Sequence, residues 1–423
     1  MMKCVNALLD KVPLPRMVPV EQSFDDSELP DVAASTRAEL RRSAITDTVK
    51  PGMRIAVTAG SRGICDLQTV IREIVSFLKA AGAEPFVIPA MGSHGGASAL
   101  GQAAILAAYG ITPELVGCPV RATMEVTRIG ELDDGRPILI DRYAAEADGI
   151  VVVNRVKAHT AFRARYESGV MKMMTIGLGK QAGAEVCHKQ GILQLGPNVE
   201  KFAFGILRCA NILFGVGIVE NAFDKTAAVR AMTAKEIPEI EPQLLAEAKC
   251  RMARILLDQT DVLVVDEIGK DISGEGMDPN IAGRWIVPTV TGGIRAERVA
   301  VLDLTEESLG NSVGLGMADV CSRQAADKAD ADMTYPNSLT SKVPCLCAVP
   351  MTFDNHLYTI RAAVKMVPDK EPADVTVIRI KNTLSMRTIE VSENLLDAVR
   401  NQPGMSIAGP PAELRFDARG NLF

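Results

Sequence analysis

The chain of 423 residues has few aromatic side chains, 4% in all, with one tryptophan and five tyrosines. It offers few platforms for base stacking, and its net charge of −6 supplies no basic field. Together these argue against nucleic acid or an anionic membrane as the partner. No apolar run reaches the ~18 residues of a membrane span. The N-terminal MMKCVNALLDKVPLPRM is too interrupted to be the apolar core of a signal peptide. The nine cysteines contain no CxxC pair, which favours free thiols in a cytoplasmic protein over a disulfide framework. Only four histidines occur, and none stands in an HxxH or HExxH pattern. A zinc hydrolase of that kind is therefore excluded. No internal repeat or low-complexity tract is present.

The chain does have an ordinary globular composition, 47% apolar and 23% charged, and length enough for two or three cores. After a proline-bearing arm over residues 1–50, RIAVTAG (54–60) reads as a buried strand stopped by glycine. Residues 65–82 carry apolar side chains at helical spacing, residues 84–92 form the next strand, and 93–110 form a turn and a helix. That β-α-β-α order implies an α/β fold with parallel strands flanked by helices. Further strands are expected at 120–128, 137–141, 149–154 and 211–219, with helices at 198–210 and 238–259. VLVVDEIG (262–269) opens a second set that includes 299–304, 345–350 and 375–380. We therefore expect two domains, residues 1–260 and 261–423. Each is expected to hold a mainly parallel sheet flanked by helices, with the active site in the interdomain cleft. The last residues are free to return to the first domain.

The segment 154–191, NRVKAHTAFRARYESGVMKMMTIGLGKQAGAEVCHKQG, is the most unusual stretch. It holds two of the four histidines, many cations, and Gly169, Gly177, Gly179 and Gly183. Lys172 and His188 are 16 positions apart, about 24 Å on one unbroken helix at ~1.5 Å per residue. Glycines with φ > 0 are expected to fold the segment back and bring both side chains to one ligand.

In an open α/β sheet, ligands sit outside the carboxyl ends of strands. Three loops there carry chemistry: TAGSRGI (58–64), GSHGG (92–96) and VKAHT (156–160). His94, His159 and Arg62 thus fall at one sheet edge. The first loop also imitates the glycine-rich turn of NAD(P)-dependent oxidoreductases. Ala59 and Cys65 stand where that turn needs glycine, and no tyrosine has a lysine four positions later. The backbone N–H groups after Arg62 remain a candidate holder for a carboxylate or phosphate. A non-catalytic nucleotide- or anion-binding protein is a further alternative. Imidazole suits nickel, and Cys187 places a soft donor beside His188.

Taken as a set, these residues resemble the nickel-dependent lactate racemase family. The resemblance rests on Gly92-Ser93-His94, on His159-Thr160, on Gly169-Val170-Met171-Lys172 followed by Ile176-Gly177, on His188, and on Ser61-Arg62. It covers the first domain well and the second loosely. It implies a racemase or epimerase acting on a 2-hydroxy acid. The implied cofactor is the nickel pincer nucleotide, a nickel pyridinium-3,5-bisthiocarboxylic acid mononucleotide linked to Lys172, with His188 on the nickel. His94 and His159 would be the acid/base pair, and Ser93, Thr160 and Gly177 would line the cofactor. Ser61 and Arg62 would meet the substrate carboxylate. Cofactor-synthesis proteins would be the loading partners, and a homo-oligomer is compatible with the resemblance. The chain departs from the family at Ala59, Gly95 and Ile176, and it lacks the family's Tyr–Lys pair in the second domain. EIGKDISGEGMDPNIAGRW (267–285) offers Lys270, Asp278 and Arg284 as substrate contacts instead, which implies a substrate larger or more polar than lactate.

Overall fold

The structure is a computed structural model, and it describes residues 3–60 and 63–423. The chain forms two compact units, Asp25–Met252 and a discontinuous one made of Met1–Phe24 with Ala253–Phe423. The arm expected to lead into the first domain is therefore divided: through Phe24 it belongs to the discontinuous unit, and from Asp25 on to the other. Its strand β1 (Met17–Gln22) pairs antiparallel with residues 388–392 and 405–407. The division falls after Met252, because the helix expected to reach 259 ends at Arg251 and Met252 turns extended. The C-terminal tail stays with residues 253–423.

The Asp25–Met252 unit is built on β2 (Arg54–Ala59), β3 (Glu84–Pro89), β4 (Val126–Glu131), β5 (Pro137–Asp141), β6 (Gly149–Arg155), β7 (Ile212–Glu220) and β8 (Thr226–Thr233). The main sheet runs β3-β2-β6-β7-β8. Its first four strands are parallel, and β8 returns antiparallel to β7. β4 and β5 form a separate hairpin. Near-continuous apolar strands such as β7, buried along its whole length, are what a sheet covered on both faces requires. Helix α1 (Leu67–Ala80) buries Leu67, Val70, Ile71, Ile74, Val75 and Leu78 on one stripe. Helix α2 (Ala99–Ala108) is capped by the Ser98 hydroxyl, which accepts from Gly101 N–H. The strand expected at 120–128 begins only at Val126.

The segment from Gly169 to His188 is helical but broken. Helix α3 (Val170–Lys172) passes into a π-helical turn (Met173–Gly177), and α4 (Lys180–His188) follows. The break is made by Lys180, which has φ +54, and not by a glycine. Gly177 serves close approach instead: a Cβ there would lie 2.7 Å from the Ala90 carbonyl oxygen and 2.3 Å from Met173 Sδ. Helices α5 (Leu195–Cys209) and α6 (Ile237–Arg251) complete the unit.

The second unit contains β9 (Gln259–Ile268), β10 (Arg295–Leu304), β11 (Val320–Ser322), β12 (Met351–Phe353), β13 (Val377–Ile380), β14 (Thr388–Ser392) and β15 (Met405–Ile407). Together with β1 they form one sheet ordered β12-β11-β10-β9-β13-β14-β1-β15. The half from β12 to β13 is parallel, and the rest is antiparallel. Helix α7 (His356–Lys365) packs its buried face over β10 and β11. The apolar run 345–350 is not a strand. Pro344 opens a 3₁₀ turn over Pro344–Cys347, and pairing resumes only at Met351.

Candidate active site

Because β2, β3 and β6 are parallel, the loops after them leave one edge of one sheet. β3 and β6 are both neighbours of β2, so the His94 and His159 loops start about 10 Å apart at ~4.8 Å per strand. Ser61 and Arg62, in the loop after β2, lie outside the described residues. His94 is exposed in the turn after β3, with its backbone N–H donating to the Met91 carbonyl at 3.1 Å.

The loop after β6 closes on itself, since Lys157 and Ser168 exchange both backbone hydrogen bonds. Inside it, Glu167 is fully buried and acts as a clamp. Its carboxylate accepts from His159 N–H at 2.7 Å and from Lys249 Nζ at 2.6 Å. The His159 ring stacks on Phe162, with centroids 4.1 Å apart. Neither Glu167 nor Phe162 was apparent from the sequence, although a lone acid just after the cations of 155–165 is the trace that Glu167 leaves.

This loop delivers His159 to Lys172: Nε2 and Nζ are 2.6 Å apart. Burial, with Lys172, His188, Lys157 and Arg163 adding to it, holds His159 well below the usual imidazole range. The ring is thus neutral, and its Nδ1 accepts from Ala161 N–H at 2.9 Å. Its proton must then sit on Nε2 and point at Lys172. Nζ can accept it only as an unprotonated amine. Two bases at this distance cannot both be protonated, so the His159–Lys172 pair carries at most one positive charge.

The other end of α3 is held by Glu241, which is 1% exposed and accepts from Met171 N–H at 3.0 Å. Asn154 Nδ2 donates to the Gly169 carbonyl at 2.9 Å. Burial raises the Glu241 carboxyl to about 7. Its folded value lies above its ordinary 4.5, so its contribution to stability is present below that pH and lost as pH rises to about 7. At ~1.4 kcal/mol per pH unit this is about 3 kcal/mol. Glu241→Gln should therefore gain stability relative to the wild type between pH 5 and pH 8. Denaturant unfolding at both values measures it, and an unchanged difference would count against a buried, titrating Glu241.

His159, Lys172 and His188 thus belong to one electropositive cluster. Thr160 and Ser93 are partly buried neighbours of the two histidines in sequence, and Gly177 accepts from Gly92 N–H at 3.3 Å. Cys187, beside His188, is not a metal-ready thiolate: it is fully buried and burial pushes its thiol up to about 12. Among the described residues no group of three His, Cys, Asp or Glu side chains is arranged to hold a metal ion. A metal here would need donors from a bound group, with His188 supplying one nitrogen.

One other expectation changes. The start of α1 is already engaged, because Cys65 N–H donates to Glu220 at 2.7 Å. A pyrophosphate at that turn would have to displace this carboxylate, so the nicotinamide alternative loses its binding element. Lys270, Asp278 and Arg284 lie in the second unit. Lys270 Nζ donates to the Gly274 carbonyl at 2.7 Å, and Asp278 accepts from Asn280 N–H at 2.9 Å. Arg284 instead pairs with Asp319, just before β11, and bonds the Glu297 carbonyl near the start of β10. Leu304, at the carboxyl end of β10, is seven residues further on, or about 23 Å at ~3.3 Å per residue. That places Arg284 toward the amino end of β10. Among the described residues no helix is long and apolar enough to cross a membrane.

One solved structure with a similar fold is the lactate racemase apoprotein from Thermoanaerobacterium thermosaccharolyticum. It is 13% identical, aligns over 88% of this chain and 99% of its own, and gives a TM-score of 0.49. At that level the likeness assigns no residue a role. No curated protein matches the sequence. Residues 48–283 match a family model described as "Domain of unknown function (DUF362)". That match takes in more than half of the chain and contains His94, His159, Lys172 and His188, and the chain belongs to the DUF362 family.

Proposed function

We propose that the protein is a racemase or epimerase of a 2-hydroxy acid, working with a nickel pincer nucleotide. The observation that carries this reading is the 2.6 Å contact of Lys172 with a neutral His159, in the field of His188. The group needs an amine able to form a thioamide, one nitrogen donor for nickel, and an electropositive wall for a phosphate and a carboxylate. Lys172, His188, and Lys157 with Arg163 fit those needs. Lys180, by contrast, is fully buried and ion-paired with Asp141.

When bound, the group supplies a reversible acceptor for the substrate's Cα hydrogen as hydride. The chain's own work is proton transfer and orientation. The hydroxyl proton must leave as the Cα hydrogen does, so a base is needed on each face. His159 is neutral and can take that proton. A Lys172 nitrogen held in a thioamide no longer accepts a hydrogen bond; to act as the base His159 then takes its other tautomer, with the proton on Nδ1 in place of the Ala161 N–H bond and the Nε2 lone pair toward the substrate hydroxyl. His94 serves the other face. Arg62 would hold the carboxylate.

The test is a screen of 2-hydroxy acids with cofactor-loaded protein in D₂O. Interconversion of enantiomers with the original Cα hydrogen retained is expected. Deuterium appearing at Cα would contradict hydride transfer, and no conversion across a broad panel would sink the reading. A separate check needs no cofactor. At pH 7 an amine-reactive reagent should label Lys172 ahead of Lys381, whose side chain is 66% exposed. In His159→Gln that lead should vanish; equal labelling in the wild type would contradict a neutral Lys172.

A further inference from the structure

Lys180 is a charged side chain with no exposed surface, placed where the backbone is left-handed. A non-glycine residue there costs about 1 kcal/mol or more, and glycine would remove the strain. The side chain must therefore contribute something that glycine would not. Its ammonium donates to Gln102 Oε1 at 3.1 Å and to the Pro89 carbonyl at the end of β3, and it forms an ion pair with Asp141 Oδ2 at 2.9 Å. Asp141 in turn caps the turn after β5, accepting from Tyr143 and Ala144 N–H.

Gln102, on α2, is also fully buried. Its amide can lie only one way. Oε1 faces the ammonium, so Nε2 donates outward, to the Gly92 carbonyl at 2.9 Å and the His94 carbonyl at 3.2 Å. The chain of contacts runs from Lys180 through Gln102 to the backbone on both sides of Ser93. Lys180 itself stands between Lys172 and His188, at the first residue of α4.

We infer that Lys180 is a positioning residue: through Gln102 it fixes the His94 loop relative to the helical run that carries Lys172 and His188. Gly92 and Gly95, at φ +59 and +68, give the loop a backbone that few other residues would hold by themselves, so the carbonyl contacts set its course. The catalytic meaning of this role rests on the reading of His94 as an acid/base group; the geometric role does not.

With only four histidines in the chain, labelling the imidazole carbons gives four resolvable NMR signals, assigned by single replacements. In the full-length protein without cofactor, Gln102→Leu and the double variant Lys180→Met with Asp141→Asn should each shift the His94 signal and its titration midpoint. The His356 signal, from the other unit, should stay in place as the control for folding. Lys180→Gly, which relieves the backbone, should shift His94 as the double variant does. If His94 is unmoved in folded Gln102→Leu and in the double variant, the inference is overturned. In loaded enzyme the same variants should lower kcat about tenfold or more with KM little changed. A fall in KM and kcat together, without an NMR change, would mark a merely structural effect. A wild type that converts no 2-hydroxy acid, but whose His94 signal still responds, would remove the functional reading and leave the positioning role standing.

Discussion

Exchanging His159 for glutamine is expected to cut enantiomer interconversion by about 10²–10⁴-fold, the usual worth of a positioned acid/base group. Glutamine keeps the polar tip and much of the volume stacked on Phe162, so Glu167 can still hold the loop through the residue's backbone N–H. What it loses is the ability to take and return a proton. Rates are taken per nickel bound, since His188 is untouched but the neighbour of Lys172 is altered. His94→Gln should act similarly on the opposite face, and neither single variant should merely raise KM. Steady-state rates in both directions, with metal analysis of the same samples, decide the matter. A His159 variant with wild-type turnover would end the two-base scheme.

The second large effect concerns stability. Lys180→Met leaves the Asp141 carboxylate buried with its cation gone, and both side chains are fully inaccessible in the wild type. Burial pushes the Asp141 carboxyl up and the Lys180 ammonium down, each toward neutrality, while their mutual attraction opposes both shifts. Removing one partner of such a pair typically costs about 3–5 kcal/mol, whereas removing both charges is far milder. Lys180→Met should therefore lower the denaturant midpoint strongly, and adding Asp141→Asn should restore much of the loss. A single variant that unfolds within about 1 kcal/mol of the wild type would show that the pair contributes little.

The strands and α1 were legible because burial on both faces writes long apolar runs and one-sided stripes into the sequence. β1 was not, since its partners around Ser392 and Ile407 lie at the far end of the chain and its own residues read as a proline-rich arm. The strand expected at 345–350 failed for a local reason: Pro344 and Pro350 bracket a run too short to pair. At the site, His159, Lys172 and His188 stood out as rare or clustered bases, and the structure places them in one cluster. The turn between Lys172 and His188 was assigned to glycines because glycine is the residue that takes φ > 0 at least cost. The chain puts Lys180 there instead and uses Gly169 and Gly177 for close packing. Glu167, Glu241 and Gln102 were invisible for a related reason. A single buried acid or amide has the same letter as a solvated one, and only the fold shows which backbone groups it satisfies.

The most direct measurement is peptide mass mapping and nickel analysis of protein loaded in a host that makes the cofactor. The account predicts the added mass on the peptide containing Lys172, and loss of nickel with retention of that mass in His188→Ala. An adduct on another amine, such as Lys180, or full nickel retention without His188, would contradict it.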